Sequence, residues 1–124
     1  AQTHGYLVAG TGNRSEIAVG YFTKYGDGGV DLEPLGELYK AQVRQLAREL
    51  GIPQPIIDRP PSAGLWEGQT DEEEMGVTYD ALDTALAAIE SGETKKLDPA
   101  LLARVQQMAA NSAHKRSMPL ACPL

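Results

Sequence analysis

The chain has 124 residues, 42% of them hydrophobic, and a formal net charge of −6. This is the length of one small domain, able to bury roughly two-thirds of the surface its unfolded chain exposes, and the composition excludes collagen-like, cysteine-stapled and wholly disordered chains. Seventeen acidic residues against eleven basic ones argue against nucleic acid as a partner. No apolar run approaches the ~18 residues of a membrane span, so no membrane association is expected. The single Cys122, with no basic-then-apolar leader ahead of it, points to a reducing, cytoplasmic setting.

In chain order, Tyr6-Leu7-Val8-Ala9-Gly10 reads as a short buried strand. A turn at Thr11-Gly12-Asn13 leads into a short helix over 15–22, with Asn13 or Ser15 as its N-cap. Residues 25–30 form a glycine-rich loop, and Asp31 to Pro34 is extended because the residue before proline avoids the helical region. Leu35, Leu38, Tyr39, Val43, Leu46, Ala47 and Leu50 make a helical stripe over 36–50, closed by Gly51 and Pro53. Residues 53–76, broken by Pro53, Pro55, Pro60, Pro61 and Gly64, read as a long loop with a helical turn around Ile56-Ile57. Helices follow over 79–91, with Thr78 as N-cap and Gly92 as stop, and over 99–113, with Asp98 as N-cap and Pro99 at its first position. The tail from Ser117 is irregular. The strand at 6–10 needs hydrogen-bond partners that this helix-rich inventory does not supply.

Several segments carry chemistry. Gly10-Thr11-Gly12-Asn13-Arg14-Ser15-Glu16 follows the strand directly; such a turn leaves backbone N–H groups free for an anion, and Glu16 one turn on suits a cation. The same residues also read as a tight turn with a surface glutamate. Lys24, Asp27 and Asp31 among three glycines suit a ribose and a phosphate, or else a charged surface turn. Lys40, beside Tyr39, reads from the sequence alone as a lysine snorkelling at the edge of an apolar stripe. Pro60 to Trp66 is a rigid binding loop or simple packing. Asp71 to Glu74 is a metal site or a solvated face. His114-Lys115-Arg116 binds phosphate or complements a helix dipole. No nucleophilic triad and no zinc spacing is present.

Taken together, Thr11-Gly12-Asn13-Arg14-Ser15-Glu16, Gly20-Tyr21-Phe22-Thr23-Lys24-Tyr25-Gly26-Asp27-Gly28-Gly29, Leu38-Tyr39-Lys40, Pro60-Pro61-Ser62-Ala63, Gly68-Gln69-Thr70-Asp71-Glu72 and His114-Lys115-Arg116 resemble the ammonia-dependent NAD⁺ synthetase family over about residues 5–119. The resemblance implies an α/β fold, an adenine-nucleotide α-hydrolase-like (Rossmann-like) parallel sheet with flanking helices, present here as a helix-rich C-terminal fragment. Residues 1–124 are then the C-terminal part of a single synthetase domain. The family chemistry it implies has two steps. The nicotinate carboxylate of deamido-NAD⁺ attacks the α-phosphate of ATP, releasing pyrophosphate with Mg²⁺ help; ammonia then displaces AMP from the acyl adenylate.

By the same resemblance, Thr11, Lys40 and Ser62 contact ATP and Glu16 is a Mg²⁺ ligand. Lys24, Asp31, His114 and Lys115 contact deamido-NAD⁺, with Asp27 and Glu74 as further lining. No residue is assigned as catalytic. The whole enzyme is expected to be a homodimer. The family's Ser-Gly-Gly-x-Asp-Ser pyrophosphate loop is absent from the sequence. That departure leads us to expect a chain inactive alone, and keeps two alternatives open: a non-catalytic nucleotide-binding or assembly module, and one half of a split enzyme.

Overall fold

A computed structural model describes residues 1–122. Its helices are α1 (Arg14–Val19), α2 (Lys40–Glu49), α3 (Gln54–Ile57), α4 (Asp71–Met75), α5 (Tyr79–Ser91) and α6 (Pro99–Asn111), with 3₁₀ turns at Gln2–His4, Thr94–Lys96 and Ala113–Arg116. The centre is α5, against which α1, α2 and α6 all pack. It starts where the Thr78 side chain accepts from the Ala81 N–H and stops at Gly92, whose left-handed backbone closes the helix. Tyr79, Leu82, Ala85 and Leu86 form its buried face, and Val19, Met75, Val77 and Val105 complete the core. Helix α6 starts as expected, with the Asp98 side chain accepting from Ala100 and Pro99 in the first turn.

Helix α1 opens on a capping box. Asn13 accepts from the Glu16 N–H, and the Glu16 side chain accepts from the Asn13 N–H. It ends at Gly20, which has φ 71°; a Cβ there would collide with the Ser112 side chain. Glycine therefore serves both the left-handed cap and the close approach of α1 to the end of α6.

Three expectations need correction. The segment 6–10 is not a buried strand: Tyr6 and Leu7 are each 71% exposed, and Ala9 makes one parallel bridge to Leu32. That pairing rests on Val8, Gly10, Asp31 and Leu32 alone, so no multistranded sheet exists among the described residues. One parallel neighbour leaves the other edge and both faces uncovered. Helix α2 begins at Lys40 and not at 36, because Pro34 and Gly36 sit in a turn closed by Gly36 N–H to Glu33 O and Leu38 N–H to Leu35 O. Its Leu50 and Gly51 end follows the expected stop, yet none of its residues is fully buried. Finally, the stretch 53–76 is not one loop. It holds the expected turn at Ile56-Ile57 as α3 and an unexpected α4, capped by Thr70 and opened by Asp71 and three glutamates that suit the helix dipole. Asp71 is buried, so this acidic run is not simply a solvated face.

Candidate functional site

The first turn of α1 meets the start of α2 and the start of α5 around one side chain, Glu16. Its Oε1 accepts from Lys40 Nζ at 2.9 Å and from the Tyr79 hydroxyl at 3.1 Å, while Oε2 accepts from the Asn13 N–H at 3.1 Å. The Lys40 ammonium lies 4.8 Å from the centre of the Tyr79 ring, a cation–π distance. Asp71 faces both tyrosines: the Tyr79 hydroxyl, 2.8 Å from its Oδ2, shares its one hydrogen between Asp71 and Glu16, and the Tyr21 hydroxyl lies 3.2 Å from its Oδ1. Tyr21 gives its hydrogen mainly to Glu74 at 2.7 Å, and Gln69 donates to the same oxygen at 2.9 Å. Burial, reinforced by neighbouring carboxylates, holds both tyrosines far above the usual phenol range. The Gln69 and Tyr21 hydrogen bonds pull Glu74 below the usual carboxylate range.

Three adjoining cavities open on this network. A cavity of about 580 Å³ is lined by Thr11, Glu16, Lys40 and Ser62, with Asp71, Arg59 and the Pro60-Pro61 corner beside them. The residues that the resemblance points to for ATP and the cation thus come together from three separate segments. A second cavity, of about 440 Å³, lies across Glu16 and is lined by Asp27, Asp31, Glu33 and Lys115. A third, also about 440 Å³, runs between Phe22, Leu65, Gln69, Glu74 and Lys115. Asp27 borders all three, and Glu16 is the partition between the first two.

Lys24 and His114 line none of these three cavities. The Lys24 ammonium is spent on the His114 carbonyl at 2.5 Å and the Ser117 carbonyl at 2.7 Å. Lys115 answers in the opposite direction, donating to the Gly20 and Phe22 carbonyls at 2.9 and 2.7 Å. Arg116 adds bonds to the Ile17 and Ala109 carbonyls. Asp31 accepts from the Val8 N–H at 2.7 Å and so also serves the local backbone.

The glycine turn does hold an anion, but one of the chain's own. Gly12 N–H donates to the Glu33 carboxylate at 3.0 Å, and a Cβ at Gly10 would run into the same group. The Gly10, Asn13 and Arg14 N–H groups are likewise taken, by Leu32 O, Glu16 and Leu38 O. Glu33 and Tyr79 are site residues that the sequence reading missed, and Tyr21 and Asp71 carried no role of their own beyond their motifs and the acidic run. Tyr79 belonged to an apolar stripe, and its hydroxyl gave no separate signal.

Of the residues that the resemblance points to, Glu16 is the one carboxylate offered to Mg²⁺, with Asp27 and Asp71 lining the same cavity. With Oε1 doubly engaged, Glu16 keeps a single acceptor position on Oε2, and no group of three His, Cys, Asp or Glu among the described residues could hold a metal. A magnesium ion fits such a site only with phosphate oxygens and waters as its other ligands. No helix among the described residues is long and apolar enough to cross a membrane.

The NAD synthase family model matches residues 1–119. A protein named NH(3)-dependent NAD(+) synthetase from Archaeoglobus fulgidus is 61% identical over 113 residues, covering 91% of this chain and 45% of the relative. One of the same name from Syntrophomonas wolfei is 54% identical over 119 residues, covering 96% and 45%. An NMN synthetase structure from Francisella tularensis superposes with TM-score 0.87 at 44% identity, covering 100% of this chain and 50% of that one. An NH3-dependent NAD synthetase from Campylobacter jejuni gives TM-score 0.76 at 30% identity, covering 98% and 48%. The chain spans about half the length of the relatives it matches.

Proposed function

The chain belongs to the NAD synthase family, and we propose that it contributes the triphosphate-facing and dinucleotide-facing walls of an enzyme that amidates deamido-NAD⁺ with ammonia at the expense of ATP. The observation that carries this reading is the single cavity uniting Thr11, Glu16, Lys40 and Ser62. A carboxylate resists ammonia because its charge repels nucleophiles and oxide leaves poorly. Adenylation removes that charge: a carboxylate oxygen bonds to the α-phosphorus, pyrophosphate leaves, and ammonia then expels AMP as the C–N bond forms. The protein's task is to place two nucleotides and offset their charge.

Within this reading Lys40 binds phosphate, leaving Glu16 for it, while Thr11 and Ser62 donate hydroxyl hydrogen bonds from the cavity wall. When Mg²⁺ is bound it neutralises phosphate oxygens, with Glu16 as its one carboxylate from this chain. Asp27 and Lys115, across Glu16, are dinucleotide contacts. Asp31 and Lys24 shape that wall through backbone bonds, and His114 reaches the ligand only from the rim. The exposed apolar side chains of Leu46, Leu50, Ile52 and Ile56 suit burial in a larger assembly, a homodimer of the whole enzyme.

The test is NAD⁺ formation from deamido-NAD⁺, ATP and ammonia by a complete enzyme that includes these residues, with the 124 residues alone expected to form none. Lys40→Met is expected to raise the KM for ATP about tenfold or more, the loss of a charge-assisted contact. Failure of the complete enzyme to form NAD⁺ refutes the reading, and amidation by the 124 residues alone refutes the expectation that they are inactive by themselves. The superposition on an NMN synthetase supports a second reading, in which the amidated substrate is the mononucleotide. Supplying deamido-NAD⁺ and nicotinate mononucleotide in competition, and comparing kcat/KM, separates the two.

A further inference from the structure

We propose that Asp83 is a positioning residue for Lys40, acting through Ser15 and the first N–H groups of α2; the inference rests on the reading of Lys40 as a phosphate contact. Helix α2 begins without a side-chain cap of its own from Tyr39. Its first two N–H groups are satisfied from elsewhere. Lys40 N–H donates to Ser15 Oγ at 3.0 Å, and Ala41 N–H donates to Asp83 Oδ2 at 2.9 Å. The Ser15 hydroxyl donates in turn to Asp83 Oδ1. Ser15 is wholly buried and Asp83 is 8% exposed.

This is a costly way to cap a helix. A solvated serine or aspartate at the N-cap would satisfy the same groups without burying a carboxylate. Asp83 takes part in none of the ion pairs among the described residues. Its charge is met by a hydroxyl, an N–H and the positive end of α2. What the arrangement adds is a fixed origin for Lys40. The other end of that side chain is fixed from the same helix: Tyr79, one turn before Asp83 on α5, lies 4.8 Å under the ammonium and donates to its partner Glu16. Helix α5 thus grips Lys40 at the backbone through Asp83 and at the head through Tyr79. A lysine free in water gives up much rotamer freedom on meeting a phosphate, and this one has surrendered it beforehand.

The experiment is a double-mutant cycle in a complete enzyme that includes these residues, Asp83→Asn against Lys40→Met. It reads the Kd for ATP, the Kd for deamido-NAD⁺ and the hydrogen exchange of the Lys40 and Ala41 amides. Asp83→Asn is expected to speed exchange at both amides and weaken ATP about tenfold, with deamido-NAD⁺ changed less than about twofold. In the Lys40→Met background it should cost ATP nothing further. Equal weakening of both nucleotides, an additive loss on Lys40→Met, or unchanged ATP affinity despite faster exchange would overturn the proposal. A wild-type protein that binds no ATP overturns the reading of Lys40 itself, and amide exchange then still reports whether Asp83 caps α2. If Asp83→Asn does not fold, Ser15→Ala, which keeps the Asp83–Ala41 bond, should show a smaller loss confined to ATP; no loss there overturns the proposal.

Discussion

Helix α5 and the segment 6–10 are both rich in apolar side chains, and they end up in opposite places. Tyr79, Leu82 and Ala85 on α5 are wholly buried, whereas Tyr6 and Leu7 are 71% exposed. The difference is in the neighbours. Helix α5 is enclosed by α1, α2, α4 and α6, all from this sequence, while 6–10 has one parallel partner around Leu32. Apolar composition states a demand for burial, and only the arrangement of partners decides whether it is met.

Substitutions can break that contrast. Leu82→Ala should cost the full chain about 2–5 kcal/mol by urea denaturation, and Leu7→Ala should stay within about 0.5 kcal/mol as long as nothing covers it. A Leu7→Ala loss equal to that of Leu82→Ala would show that the edge is packed in the intact protein. Gly20→Ala meets both a positive φ and the Ser112 side chain, and should cost about 2–4 kcal/mol. Thr78→Ala removes one cap bond from the buried helix and should cost about 1 kcal/mol.

The smallest effect concerns the seam between α2 and α5. The Tyr39 hydroxyl donates to Glu90 at 2.6 Å, and burial, then that bond, pushes its pKa up to about 12. A phenol whose pKa is higher folded than unfolded stabilises the fold fully below its unfolded value, near 10, and this contribution is lost as pH rises toward about 12. Tyr39→Phe should therefore flatten the fall in thermal stability across that window and remove one late step from the tyrosinate absorbance titration. An unchanged titration would mean that the seam is open to water.

The sequence made α5 and α6 legible because cap, stripe and stop agree at each: Thr78 with Gly92, and Asp98 with Pro99. Resemblance singled out Thr11, Glu16, Lys40 and Ser62 for ATP and magnesium, and the four residues line one cavity, whose occupant is the proposal above. Local rules failed where an interaction was long-range. The late start of α2 follows from Pro34 and Gly36, but its cap comes from Asp83, 42 residues beyond Ala41. The turn at Gly10-Thr11-Gly12 is filled by Glu33, 21 residues beyond Gly12, and nothing in its own sequence announces that occupant. Helix α4 was masked because an acidic run carries no apolar period, even though Thr70 offered a cap.

The crossed lysines carry a consequence for how the protein is made. Lys24 reaches a carbonyl 93 residues later, and Lys115 reaches back 95 residues to Gly20. Contacts so distant along the chain must wait for the largest loop to close. On the ribosome, the wall around Tyr21 and Phe22 stays unfinished until residues 114–117 have emerged. A nascent chain should therefore acquire this surface only after residues 114–117 have been made, well after α1 has left the ribosome.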